Sequence, residues 1–287
     1  MLLLLPRDPI NPRRPDEHFN DEAVAARSLG IQMGLVDHDA LARSGGAAEG
    51  VGGIHVERAS EAVYRGWMLR SEQYSAFEAA LAERHVTLRT SARDYRRAHE
   101  LPGWYAQISS LTPESVWTTG SSPDDFRERC KQLVSGPAVL RDYSKSMKHY
   151  WHEAAFIPDV ADLDAAWAIA RRFLELRDDS FVGGLVLRRF EALQSDEVRT
   201  WWVNGTCVLT TVHPDSKATE IPSPLDLTAL TASMSALHFP FVTADLALRD
   251  DGVWRVVELG DGQVSDRPRA TPPEEFLRAV IGVDSAT

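Results

Sequence analysis

A chain of 287 residues, 44% hydrophobic and 25% charged, is long enough for one large or two modest domains with a real core. Its 42 acidic and 31 basic residues leave a formal charge of -11, which argues against a protein that coats nucleic acid or rides on a membrane surface, since both need a positive field. Cys130 and Cys207 form neither a disulfide framework nor a zinc site, MLLLL is too short for a secretory segment, and no apolar run nears the ~20 residues of a membrane span, so the chain reads as cytoplasmic.

Leu2 to Leu5 read as a first buried strand, followed by a Pro-rich polar loop and a helix over residues 21–29. Residues 30–41 read as a second strand and its exit. The glycine-rich stretch SGGAAEGVGG, residues 44–53, matches neither GxGxxG nor GxxxxGKS/T and is expected to be a flexible surface connection. SEQYSAFEAALAE, residues 71–83, sets Tyr74, Phe77 and Leu81 at helical spacing, a core stripe. Arg65, Arg70, Tyr95 and Trp104 could line a substrate pocket, with solvated arginines and core aromatics as the expected reading.

A second unit begins near Ser115. SVWTT reads as a strand, residues 121–136 as a helix with a Ser or Pro start and a Gly stop, and PAVLRDY as the next strand. After the charged stretch SKSMKHYWHEAAFIPD comes an amphipathic helix over 162–176. GGLVLRRFEAL then reads as a strand, DEVRTWWVNGTCVLTTV as a hairpin turning at Asn204-Gly205, and residues 225–234 as a helix. DLALRDDGVWRVVELGDGQVS closes the chain as a hairpin with Asp251-Gly252 as a two-residue type I′ turn. Counted from that turn, Asp245 faces Glu258 at about 5 Å. Two acids so placed repel unless they splay into water or share a cation. The order of elements is an α+β layout.

Arg141, Lys145 and Lys148 fall within eight positions, which a solvated loop or a bound polyphosphate would explain equally well. Arg188 and Arg189 must point to opposite faces of their strand, and Arg199, on a strand among apolar residues, calls for a partner. His149 and His152, beside Glu153, lack a third ligand at a known metal spacing, and contact with substrate or phosphate is the better reading of the histidines. The tryptophans at 151, 167, 201, 202 and 254 read as core.

Cations for phosphate oxygens and acids for a hard divalent ion are together what a nucleoside triphosphate with magnesium requires. In RDYSKSMKHYWHEAAFIPD, GGLVLRRFEAL and VVELGDGQVS the chain resembles the ATP-grasp superfamily, and more closely its clade named for one arginine and two lysines, over about residues 115–270. The resemblance implies an α+β ATP-grasp fold, with subdomains at 115–187 and 188–287 clasping a nucleotide and a small α/β pre-grasp domain at 1–114 that helps bind the acceptor. It implies that Arg141, Lys145 and Lys148 meet the phosphates, that Arg188, Arg189, Phe190 and Glu191 lie along the adenine and ribose, and that Arg199 stabilises the γ-phosphate or acyl phosphate. Asp245 and Glu258 match the magnesium acids. The family's Glu-x-Asn would place Asn at 260, where this chain has Gly260, so Asp261 or Gln263 is expected to supply the third oxygen.

The activity implied is carboxylate–amine ligation with ATP and Mg²⁺, through an acyl phosphate, on small-molecule or peptide substrates. Phosphoryl transfer needs positioning and charge neutralisation more than a protein nucleophile, which suits a chain with no obvious nucleophile motif. A non-catalytic nucleotide-binding module and a phosphotransferase acting on a hydroxyl remain the alternatives.

Overall fold

The computed structural model describes residues 1–216, 220–221 and 224–282. The first sheet holds β1 (Leu2–Pro6), β2 (Gln32–Val36), β3 (Ser60–Tyr64) and β4 (Val86–Leu88), all parallel, in the order β2-β1-β3-β4. A central parallel strand is covered on both faces, which is why β1 is an unbroken apolar run. Leu2 and Leu4 enter a core with Tyr64, Tyr74 and Phe77, while Leu3 and Leu5 enter another with Phe19, Val63, Trp201, Phe241 and Phe276. Each buried leucine contributes about 2 kcal/mol. The helix Ser71–Ala82 buries Tyr74, Phe77 and Leu81 as its spacing predicts.

The glycine-rich stretch departs from expectation. It runs from the short helix His38–Leu41 into a second, Ala47–Gly50. A Cβ on Gly46 would lie 2.1 Å from the Ala40 carbonyl oxygen, and one on Gly50 would lie 2.5 Å from Leu41 Cδ2. These glycines permit close packing rather than flexibility.

The second sheet holds β5 (Ser115–Trp117), β6 (Ala138–Asp142), β7 (Phe156–Ile157) and β8 (Leu185–Arg189), antiparallel, in the order β5-β8-β6-β7. The helices Pro123–Leu133 and Leu163–Arg177, capped by Ser122 and Asp162, bury Phe126, Ala166 and Phe173 in one core with Leu140 and Leu187. The third sheet holds β9 (Leu193–Val203), β10 (Thr206–Val212), β11 (Phe241–Arg249) and β12 (Trp254–Asp261), in the order β10-β9-β11-β12. Asn204 and Gly205, at φ 49° and 76°, make the two-residue turn from β9 to β10 that their sequence demands.

The closing hairpin is built differently from expectation. Arg249 N–H donates to Val253 O at 2.9 Å and Gly252 N–H to Arg249 O at 2.8 Å, with Gly252 at φ 84°. This is a three-residue loop ending in a glycine bulge. Farther along β12 the inward residues are Val256, then Leu259 and Asp261, a change of phase in a period-two pattern. Arg188 donates to the carbonyls of both Val256 and Val257 at that point. The opposition of Asp245 and Glu258 therefore does not follow from counting back from the turn.

Contacts divide the chain into two compact units. The first takes Met1–Ala98, Ser195–Leu246 and the residues from Glu258 onward; the second takes His99–Gln194 and the hairpin tip Ala247–Val257. Within the first unit Arg65 is 1% exposed. It donates to both oxygens of Glu22 at 2.9 and 3.0 Å and to the carbonyls of Gly262, Gln263 and Ser265, and it lies over the Phe276 ring. It is a tie between distant segments rather than a solvated arginine. Tyr95 and Trp104 are core aromatics, as expected. Removing one partner of a buried ion pair strands the other charge, so Glu22→Ala should cost about 3 kcal/mol, seen as a lower urea midpoint with an unchanged slope.

Candidate active site

In the second unit the two lysines sit on a loop set by its neighbours. Arg141, buried on β6, donates through Nη2 to Ser144 O at 2.8 Å. The buried Asp142 accepts through Oδ1 from the N–H groups of Ser144 and Lys145, at 2.8 and 2.7 Å, and through Oδ2 from Arg177 Nε at 2.9 Å. An aspartate that binds amides two and three residues ahead closes a tight turn, here holding the backbone of Lys145. The side chains of Lys145 and Lys148 are exposed. Burial, together with the charge of Lys145, pushes the pKa of His99 down to about 3, so that ring is neutral at pH 7.

The end of β8 is more heavily engaged. Arg188 is buried and donates to Val256 O, Val257 O and Thr112 Oγ1. Arg189 donates to Leu133 O and Ser135 O at the end of the helix Pro123–Leu133, and to Glu114. Glu191 holds Arg255 in a bidentate pair at 2.8 and 2.9 Å. Phe190 is 37% exposed and meets Phe156 edge to face at 5.4 Å, with Trp151 at 6.3 Å. Of these four residues, Phe190 offers an open flat surface. His149, His152 and Glu153 are exposed, and Glu153 pairs with Arg172.

In the first unit, Arg199 on β9 meets Asp245 on β11 side by side, with Nε to Oδ1 at 2.8 Å and Nη2 to Oδ2 at 2.9 Å. The same Nη2 lies 2.8 Å from His213 Nε2, and Nη1 donates to Asp266 O at 3.2 Å. Burial opposes the charge of Asp245, but the guanidinium outweighs it and holds the carboxylate well below its usual range. Burial likewise opposes the charge of Arg199, and Asp245 with Glu258 holds its pKa above the ordinary value. Asp245 and Glu258 thus both act on the charge of Arg199. Beside His213 a cavity of about 840 Å³ runs along the β10 edge and the segment from Asp266 to Pro272, reaching His18.

Residues 129–280, more than half of the chain, match the model of an ATP-grasp domain family, the third of the clade named for one arginine and two lysines. The chain belongs to this ATP-grasp family. No curated protein matches it. Among solved structures it is similar to a RimK domain ATP-grasp protein from Sphaerobacter thermophilus, at 16% identity over 99% of both chains with a TM-score of 0.62. D-cycloserine synthetase DcsG is 14% identical over 98% of this chain and 99% of that one, with a TM-score of 0.60. The ATP-grasp ligase PsnB, complexed with minimal precursor, Mg and ADP, is 15% identical over 98% and 97%, with a TM-score of 0.58. At such identities the likeness is one of fold, and the α+β ATP-grasp fold stands.

The two residues expected to replace the family's asparagine turn elsewhere. Gln263 accepts from Tyr64 N–H at 3.0 Å and donates to the Tyr74 hydroxyl at 2.6 Å. Asp261, fully buried, accepts through Oδ1 from Gln263 N–H at 2.9 Å, and its Oδ2 faces Thr90 without a well-formed hydrogen bond. Both side chains belong to the core around Tyr74 and Tyr95. Beside Asp245 stand Glu197 and His213, both of which the sequence left unmarked. Their donor atoms and that of Asp245 all lie within 4.8 Å of one another. The only signal in the sequence was that Glu197 and Arg199, two apart on one strand, share a face.

Burial pushes the pKa of Asp261 up from 3.8 to about 7. The folded state therefore keeps a proton that the unfolded chain releases, so this group's contribution is most favourable below about pH 4 and declines as pH rises to about 7, by about 4 kcal/mol. Asp261→Asn keeps the acceptor and mimics the neutral acid. The variant should gain stability over the wild type from pH 5 to pH 8, which urea denaturation at both values would measure.

Proposed function

We propose that this protein is an ATP-dependent carboxylate–amine ligase that forms an amide or peptide bond and releases ADP and phosphate. The observation that carries the reading is the paired constellation of Arg199 with Asp245 and Glu258 in a chain of the ATP-grasp family. On this reading a carboxylate oxygen of the acceptor attacks the γ-phosphorus of ATP, the bond to ADP breaks, and an acyl phosphate forms. The amine nitrogen then attacks the carbonyl carbon, phosphate leaves and the nitrogen sheds a proton.

Lys145 and Lys148 are assigned to the phosphates, together with Arg141, whose guanidinium also shapes their loop. Phe190 is assigned to the adenine, with Arg188, Arg189 and Glu191 holding the surrounding backbone. Arg199 is assigned to the charge on the transferring phosphoryl group. Asp245 and Glu258 would hold the divalent ion that neutralises charge on the phosphate oxygens. Both act on the charge of Arg199, whose guanidinium occupies the oxygens of Asp245 and would give way to the ion. Residues 1–114 are assigned to a pre-grasp domain, 115–187 and 188–287 to the two grasp subdomains, and the cavity beside His213 to the acceptor. Structural neighbours range from a ligase with a precursor peptide to D-cycloserine synthetase, so the acceptor class includes peptides and amino acids. The reading places the enzyme in the cytoplasm; among the described residues no helix is long and apolar enough to cross a membrane.

One observation favours a second reading, a nucleotide-binding module without turnover: Gly260 lacks the family's ligand, and Asp261 and Gln263 are committed to the core. Chromatographic quantitation of ADP, AMP and phosphate, with pooled amino acids and dicarboxylates as acceptors, separates the two. Pool-dependent ADP, reduced about 100-fold or more in Lys145→Ala and Glu258→Gln, is the expected result. AMP as product would sink the acyl-phosphate route, while ATP raising the melting temperature without turnover would favour the binding module.

A further inference from the structure

We infer that Glu197, His213 and Asp245 form a metal site with a nitrogen ligand, suited to Mn²⁺ or Zn²⁺ in preference to Mg²⁺. The three stand on neighbouring strands. Glu197 is on β9, Asp245 on β11, and His213 follows β10, its N–H donating to Glu197 O at 2.9 Å. That bond continues the pairing of Arg199 with Thr211 and Val198 with Val212, so Glu197 and His213 are cross-strand neighbours. One donor atom from each of the three residues lies within 4.8 Å of the others, close enough for a single ion to meet all of them. All three belong to the first unit.

The site is already organised around positive charge. The Arg199 guanidinium rests on both oxygens of Asp245 and lies 2.8 Å from His213 Nε2. Asp215 N–H donates to His213 Nδ1 at 3.1 Å, so Nε2 carries the ring proton here and would bind a metal by releasing it. Metal and guanidinium compete for the oxygens of Asp245, and the metal, in taking them, releases Arg199 toward an anion. An imidazole beside two carboxylates suits first-row transition ions, whereas Mg²⁺ prefers oxygen ligands and retained water.

This deepens the ligase reading and rests on it in taking Asp245 as a metal ligand. The test uses neither nucleotide nor acceptor, so its failure is distinct from a failure to form ADP. Mn²⁺ alone is titrated into the full chain and followed by pulsed electron paramagnetic resonance. We expect one ion per chain with nitrogen modulation from a bound imidazole, not displaced by a roughly hundredfold excess of Mg²⁺. His213→Gln should remove the modulation and weaken binding about tenfold or more. Glu197→Gln should weaken binding while keeping the modulation, which tests the site even where the histidine variant fails to fold. Absence of binding, binding without nitrogen modulation, modulation that survives in His213→Gln, or ready displacement by Mg²⁺ would each overturn the assignment.

Discussion

A carboxylate buried on a sheet face must be paired, and the partner of Asp245 is Arg199. Left alone, either charge would meet a desolvation cost of several kcal/mol. Held together by two hydrogen bonds, they form a fixed positive and negative surface on β9 and β11. Glu258, His213 and Glu197 take their meaning from this pair, because each acts on the guanidinium or stands beside the carboxylate. A pair of this kind contributes little net stability. Its value lies in holding charge in a defined place.

The first unit surrounds that surface with segments far apart in sequence. Arg65 binds Glu22 and three carbonyls between residues 262 and 265, and Gln263 bonds Tyr64 and Tyr74. The chain just after Glu258 is thus locked to β3 and to the helix Ser71–Ala82. This locking explains why Asp261 serves the core and not a ligand. It also leaves a carboxyl in a place where its neutral form is favoured, beside two buried tyrosines whose own ionisation burial suppresses. In the second unit a comparable economy governs the lysine loop, where one buried aspartate both pairs with Arg177 and holds the amide of Lys145.

Much of this was legible in particular residues. The leucine run of β1 read as a buried strand because a central parallel strand is apolar on both faces, and Asn204-Gly205 read as a turn because φ above zero is needed at both positions. The block from Arg141 to Lys148 and the residues around Glu258 carried the family resemblance, which the match over residues 129–280 bears out. The hairpin at Asp251-Gly252 was misread by one residue, since Asp-Gly also fits the three-residue loop ending in a glycine bulge. The glycine-rich stretch was misread as flexible, since a glycine that admits a neighbour's carbonyl looks the same in sequence as one that frees the chain.

Local pattern, by itself, determined β1, the helices Ser71–Ala82, Pro123–Leu133 and Leu163–Arg177, and the turn at Asn204-Gly205. These depend on periodicity and on chemistry within short windows, where each residue's neighbours are known in advance. Tertiary structure alone decided how those side chains are spent. Arg188 and Arg189 went to backbone carbonyls, Asp261 and Gln263 to the core, and Glu197 and His213 to the side of Asp245. Such outcomes depend on which strands become neighbours and on the register at which they pair. A shift of one residue in that register turns a side chain to the other face, and no short stretch of sequence holds that information.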